Sequence, residues 1–281
     1  NLSKYSEPDI AVITNIGTAH IGLLGSKKNI THAKCEISKF LNPEGVVIIP
    51  ANDPFLEKTL KEFWKGRVIK VKLLNIENQK ESFKKDDNLR GFYNPSNKTI
   101  LIEENTFEIS FEGFHNASNF LFAYAVAKEL GIDFASFNKF DFVSLGGRNK
   151  ILKSVKTTIY DESYNASPES VKACIKNLLE KPRNKFFIFG SMQELGEESE
   201  KYHKEIFNLI NNSDIEKCLF ICDKENEKIY TNYLKDKNKF LVLNNIKDVP
   251  QEINKSTKKG DSILIKGSRC WQLEKIIELI N

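Results

Sequence analysis

From residue 151 onward the chain alternates, at regular intervals, between strand-length apolar runs and helix-length amphipathic ones. Strands are predicted at 151–161, 185–190, 217–222, 239–243 and 261–266, and helices at 168–180, 199–211, 224–234, 246–255 and 270–280. Runs such as KFFIFG and DSILIK are apolar at successive positions, so both faces of each strand need cover. Strands alternating with helices imply a parallel sheet with helices on both sides, an α/β doubly wound architecture.

The first half is less regular. DIAVITNI reads as a buried strand, SKKNITHAKCEISKFL as a helix, EGVVIIP and RVIKVK as further strands. In DPFLEKTLKEFW, Asp53 is placed to cap a helix that starts at Pro54. Residues 75–98 read as polar and irregular, and TILIEENTFEISFEGFH alternates with period two, as a hairpin does. NASNFLFAYAVAKELGID is an amphipathic helix with Gly131 as its C-terminal cap. Residues 132–147 carry no strong period and end in Gly146-Gly147. The domain boundary is placed there, giving domains 1–146 and 147–281, with Gly146-Gly147-Arg148 as a hinge.

At 281 residues the chain is long enough for two domains. A net charge of +4, with Lys and Asn spread evenly, argues against a nucleic-acid partner, and KSTKKGD reads as a solvated loop. The longest apolar runs are strand-length, which argues against membrane insertion, and no signal peptide opens the chain. The five cysteines are scattered. Cys218 and Cys222, the one close pair, fall inside a strand-like run, so they read as reduced thiols of a cytoplasmic protein rather than zinc ligands. The chain opens at Asn1, without an initiator Met and almost directly on strand-like sequence, which predicts that sequence precedes it.

Chemistry-bearing residues gather where strands end. Asn15 and His20 follow the first strand in TNIGTAHIGLLGS, and a neutral His suits a divalent metal or a phosphate neighbour, or simply a loop hydrogen bond. Lys34, in THAKCEI, is either a solvated helix lysine or, if buried, one open to modification. Asn116 and Asn119 stand three apart on one helix face and could read a purine edge or cap the helix. Arg148 follows two glycines and suits bidentate phosphate contact. DESYNASPES places Asp161, Glu162, Tyr164 and Asn165 in a strand-to-helix turn, where open α/β sheets bind ligands. DSILIKGSRCWQ repeats that arrangement with Lys266, Ser268 and Arg269, suited to an anionic substrate.

ITNIGTAH, AKCEI, HNASN, GRNK, DESYNASPES, ELGEES…H and KGSR, taken in this order, resemble the Mur ligase family, over nearly the whole chain. The resemblance is strongest to the members that add D-alanyl-D-alanine to UDP-MurNAc-tripeptide. It implies a central ATP-binding domain, N-terminally incomplete, and a C-terminal Rossmann-like domain. It also implies ATP and Mg²⁺ as cofactors, a monomer, and amide-bond formation through an acyl phosphate in peptidoglycan synthesis. By the same resemblance His20 matches a Mg²⁺ ligand and Lys34 the lysine that is carbamylated to support a second Mg²⁺. Asn15, Asn116, Asn119 and Arg148 match nucleotide contacts, and Asp161 or Glu162 the ribose contact. Tyr164, Asn165, Lys266, Ser268 and Arg269 match the dipeptide side.

Three positions depart from the family. It usually has Glu at Thr18, Asp at Glu162 and Asp at Ser191. Its phosphate loop, G-x-x-G-K-[ST], and its N-terminal substrate domain precede the point matching residue 1, so the chain by itself is expected to bind ATP poorly and not to turn over. Two alternatives stay open: a non-catalytic binding module derived from such a ligase, and another amide ligase of the superfamily, such as folylpolyglutamate synthetase.

Overall fold

The structure is a computed structural model and describes residues 2–78, 89–133, 139–140, 146–234 and 236–280. It divides into two compact units, Asn1–Gly17 with Ser26–Phe142, and Thr18–Gly25 with Val143–Asn281.

The first unit contains α1 (Leu2–Ser6) and β1 (Ile10–Val12); the next helix along the chain, α2 (Ile21–Leu24), belongs to the second unit. It continues with α3 (Lys27–Cys35), β2 (Val46–Pro50), α4 (Pro54–Phe63), β3 (Arg67–Asn75), β4 (Leu89–Asn94), β5 (Thr99–Ile102), β6 (Asn105–Ile109), α5 (Phe114–Glu129) and β7 (Lys139–Phe140). The strands form one sheet in chain order; β1 to β4 run parallel, β4–β5–β6 antiparallel and β6–β7 parallel. Asp53 caps α4 as expected, its carboxylate accepting from the Leu56 N–H at 2.9 Å. The period-two segment is the β5–β6 hairpin, turning through Glu103 in the left-handed region. Gly131 (φ 69°) closes α5 because its missing Cβ makes that conformation cheap. The expectation of irregular chain over 75–98 is corrected at its end. Leu89–Asn94 is a strand, with all but its last residue buried. Its Arg, Gly and Asn masked the β pattern, yet Gly91 is where the Leu121 side chain packs against the strand. Residues 79–88 of that stretch lie outside the described residues. The core of this unit lies between the sheet and α5, where Ile48, Val71, Tyr93, Ile100 and Phe107 meet Phe120, Leu121 and Tyr124. Each such large apolar side chain contributes roughly 1.5–3 kcal/mol on burial.

The second unit contains α2 and β8 (Lys150–Lys153), β9 (Thr157–Asp161), α6 (Pro168–Leu179), β10 (Lys185–Gly190), α7 (Ser199–Asn211), β11 (Ile215–Ile221), α8 (Lys224–Thr231), β12 (Phe240–Leu243), α9 (Val249–Ser256), β13 (Asp261–Lys266) and α10 (Glu274–Ile277). The strand order is β12-β11-β10-β13-β9-β8, parallel except for the antiparallel β8–β9 pair. The α/β class and the doubly wound sheet are as expected. Alternation along β10 explains the two cores. Phe187 and Phe189 face the α6–α7–α8 side with Ile206, Phe207 and Phe220, while Phe186 and Ile188 face the α9–α10 side with Val249, Ile253, Leu273 and Ile276. The expected helix 270–280 is shorter, a 3-10 turn at Arg269–Trp271 followed by α10.

Because β13 returns between β9 and β10, the strand order reverses there. The carboxyl ends of these three strands are where a doubly wound sheet opens a crevice. The residues at those ends are Asp161, Gly190 and Lys266. Among the described residues, no helix is long and apolar enough to cross a membrane.

Candidate active site

The turn after β9 is built on Asp161. Its carboxylate is buried, with Oδ2 accepting from the Gly147 N–H at 3.2 Å and Oδ1 from the Ser163 N–H at 3.1 Å and the Ser163 hydroxyl at 2.6 Å. The Tyr164 N–H returns to the Gly147 carbonyl at 2.9 Å. Gly147 sits at φ 73°, and a Cβ there would lie 2.7 Å from the Tyr164 nitrogen, so both its conformation and the close approach require glycine. Downstream, Ser167 and Ser170 form a capping box with Pro168 in the first turn of α6. The turn is therefore rigid, and Asp161 has both oxygens committed to it.

Glu162 is the freer acid. Its Oε1 accepts from the Asn149 N–H at 3.1 Å. Burial pushes its pKa up; the Lys266 charge, the Asn149 bond and Arg148 oppose this, and Asp161 adds to it. A carboxyl raised in the folded state favours folding most when protonated. Its contribution is full below the unfolded value of 4.5 and is lost as pH rises through the raised value. Glu162→Gln keeps an acceptor for Asn149 and removes the charge. Urea titrations should show it about 1 kcal/mol more stable than the parent at pH 7, with the difference vanishing below pH 4.5. A variant less stable at pH 7 would refute the assignment of burial as the dominant cause.

Lys266, at 4% exposure, ends β13 and donates to the Asn165 carbonyl at 3.0 Å. Ser268, also buried, accepts from the Gln193 N–H at 2.8 Å. Arg148 lies over the Tyr164 ring at 4.0 Å, Arg269 approaches the same ring at 5.9 Å, and Arg269 also pairs with Glu274 at 2.9 Å. A half-exposed aromatic ring flanked by two guanidinium groups gains cation–π energy and presents a planar, positively framed surface. One sheet edge thus holds Arg148, Asp161, Glu162, Tyr164, Asn165, Lys266, Ser268 and Arg269, eight of the residues singled out from sequence.

Segment Thr18–Gly25 belongs to this unit too. Thr18 donates through its N–H and hydroxyl to the two Glu169 oxygens at 3.1 and 3.0 Å. His20, at φ 64°, pairs through Nδ1 with Glu194 at 2.5 Å, and the Gly22 N–H donates to the Glu194 carbonyl at 2.8 Å. Ser191, where the family has Asp, is fully buried and accepts from the Gln193 side chain at 3.2 Å.

The other expected residues lie in the first unit. Lys34 donates to the Asn15 carbonyl at 2.8 Å, and both line a cavity of about 470 Å³ with Thr14, Ala33 and Glu36. Asn116 uses its amide to hold the Glu112 carbonyl at 2.7 Å at the start of α5, while Asn119 is exposed. Asn116 therefore serves the helix start in this state.

Sequence reasoning missed Glu169, Gln193 and Glu194, because their partners are far along the chain. Thr18 and Glu169 are 151 positions apart, a distance at which no local spacing carries a signal. Cys218 and Cys222 lie in and just after β11, both fully buried, and burial pushes the Cys222 thiol up to about 12.

The described residues do not by themselves fit a divalent cation. No three His, Cys, Asp or Glu side chains come together among them, and His20 commits Nδ1 to Glu194. Mg²⁺ takes few protein ligands and keeps waters and phosphate oxygens, so no step is derived through it.

Two family models match the chain, the Mur ligase middle domain over residues 1–127 and the Mur ligase glutamate ligase domain over 147–269. The UDP-N-acetylmuramoyl-tripeptide–D-alanyl-D-alanine ligase of Bacillus subtilis (strain 168) is 32% identical over 99% of this chain and 60% of its own length. That of Rickettsia prowazekii (strain Madrid E) is 30% identical over 99% of this chain and 62% of its own. The MurF ligase from Thermotoga maritima, solved in complex with ADP, superposes with a TM-score of 0.78 at 25% identity, over 99% of this chain and 63% of that one. The chain thus spans about three fifths of the length of the curated relatives it matches. With both domain models in sequence order and MurF ligases among its relatives, the chain belongs to the Mur ligase family.

Proposed function

We propose that the chain is the greater part of an ATP-dependent ligase that joins D-alanyl-D-alanine to UDP-MurNAc-tripeptide in peptidoglycan synthesis. One observation carries most weight: a single sheet edge gathers two arginines, a buried lysine and two acids around the rigid Asp161 turn. In the proposed reaction a peptide carboxylate oxygen attacks the γ-phosphorus of ATP, and ADP leaves. The dipeptide amine then attacks the acyl carbon, the C–O bond breaks, phosphate leaves and the amine proton passes to solvent. Phosphoryl transfer needs positioning and fixed positive potential more than covalent help from the protein, which Arg148, Arg269 and Lys266 would supply. Because Asp161 is used by its own turn, Glu162 is the acid left for a ribose hydroxyl. Tyr164, Asn165 and Ser268 would line the dipeptide side. In the first unit Asn15, Lys34, Asn116 and Asn119 would serve the nucleotide, with Lys34 as the lysine to be carbamylated. Residues 1–146 and 147–281 would be the two functional domains, and the protein would act as a cytoplasmic monomer, where ATP is made available.

The test is phosphate release by the native polypeptide, including whatever precedes residue 1, with ATP, Mg²⁺ and the tripeptide nucleotide. Release that depends on D-alanyl-D-alanine is the expected result, and its absence overturns the reading. Arg148→Ala should lower kcat/KM by about 10²-fold. A binding module is the second reading, favoured by Thr18, Glu162 and Ser191 standing where the family usually has Glu, Asp and Asp; ADP binding with no ligation in the same assay would establish it.

A further inference from the structure

His203 is fully buried on α7, and none of the roles above uses it. Its ring lies among Phe189, Phe207, Phe220 and Tyr230, the last only 4.4 Å away between centroids. Both ring nitrogens are engaged. Nε2 faces the Met192 N–H at 2.9 Å, and Nδ1 faces the Ser199 carbonyl at 2.8 Å. A backbone N–H only donates and a backbone carbonyl only accepts. The tautomer is therefore forced: the proton sits on Nδ1, and Nε2 carries a lone pair.

Ser199 is the first residue of α7, so its bond anchors the ring within its own helix, and the Met192 bond ties the start of the segment that follows β10 to the helix that ends it. That segment carries Gln193, whose N–H holds Ser268, and Glu194, which holds His20 and the Gly22 N–H. We propose that His203 is a positioning residue for the Ser191–Ser199 loop, fixing through Met192 the placement of Gln193 and hence of Ser268. The loop's place in an active site rests on the ligase reading, whereas the clip itself does not. Burial holds the ring's pKa down to about 4, so the lone pair on Nε2 persists at neutral pH. Tyr230 is the titratable group packed on the ring, and burial raises its pKa.

The experiment is NMR on the isotopically labelled chain, read without any ligand. A through-hydrogen-bond N–N coupling between the Met192 amide and His203 Nε2, with the Nδ1–H tautomer in the ring ¹⁵N spectrum, is expected. His203→Phe fills the aromatic cage but accepts no bond. In it the Met192 and Gln193 amides should exchange about tenfold faster, while β11 and α9 amides keep their rates. His203→Gln, whose amide oxygen can accept from Met192, should restore part of the protection. An Nε2–H tautomer, a missing coupling, unchanged loop exchange in His203→Phe, or faster exchange spread over the whole unit would each overturn the proposal. Should His203→Phe not fold, the coupling and tautomer of the parent still decide. None of these readouts uses nucleotide or dipeptide, so failure of the ligase reading would leave them unmoved.

Discussion

Replacing Lys266 by methionine is expected to destabilise the second unit by about 2 kcal/mol at pH 7, the cost of leaving a buried acceptor without its donor. Methionine keeps most of the apolar stem, so the cost comes from the lost ammonium. Two neighbours lose by it. The Asn165 carbonyl loses its donor at 3.0 Å, and Glu162, whose pKa burial already raises, loses the cation that most strongly opposes that rise. The sign of the pH effect follows. With the cation gone Glu162 is raised further, so the variant loses stability more steeply than the parent as pH climbs above 4.5. Urea unfolding at several pH values measures this, and a deficit that is small and flat with pH would refute it. The pair Lys266→Met with Glu162→Gln should cost less than the sum of the two, with a coupling of about 1 kcal/mol, because glutamine leaves no buried carboxyl to strand. In the ligation assay Lys266→Met should lose most activity even where it remains folded.

Much of the fold was legible because β10, β11 and β13 are short and apolar and alternate with amphipathic helices. Periodicity therefore gave most elements in the right order, and the second unit's alternation implied its parallel sheet, but the strand expected at 151–161 is the antiparallel pair β8–β9. What failed did so for identifiable reasons. Leu89–Asn94 looked irregular because Arg90, Gly91 and Asn94 are poor strand formers, but pairing with β3 and β5 overrides local propensity. The 3-10 turn at Arg269–Trp271 stands where a helical start was expected, and there Trp271 donates to the Ser191 carbonyl at 3.0 Å, 80 positions away along the chain. The site was legible wherever polar residues stood at strand ends, since topology places such ends together. It was not legible where a residue's role depends on its partner. Asp161 and Glu162 are adjacent and alike in sequence, yet one is spent on its own turn and the other is not. Nothing local in the sequence tells that Thr18 bonds Glu169, 151 positions away.

The narrowest part of the site is also its most testable. The ends of β10 and β13 touch through glycine: a Cβ on Gly267 would lie 2.7 Å from Leu273 Cδ1, 2.8 Å from Gly190 Cα and 3.0 Å from Gly190 N. Two of these three contacts are backbone, so no rotamer change relieves them. Gly267→Ala must push the two strands apart, and overpacking of this kind costs about 1–3 kcal/mol. The separation also draws Ser268 from the Gln193 N–H that it accepts at 2.8 Å. Thermal unfolding should therefore show a clear drop in Tm, accompanied by a shift of the Gln193 amide resonance. Gly146→Ala is the control, since among the described residues nothing lies within 4 Å of a Cβ there, and it should stay within about 0.5 kcal/mol of the parent. Gly190→Ala tests the same approach from the other strand, where the Cβ meets Trp271 Cδ1 at 2.8 Å and Gly267 Cα at 3.3 Å. Its first obstacle is a side chain rather than backbone, so its cost should fall between the other two. Equal stability of all three variants would mean that the strand ends can separate freely, and the close approach would then be no constraint on the site.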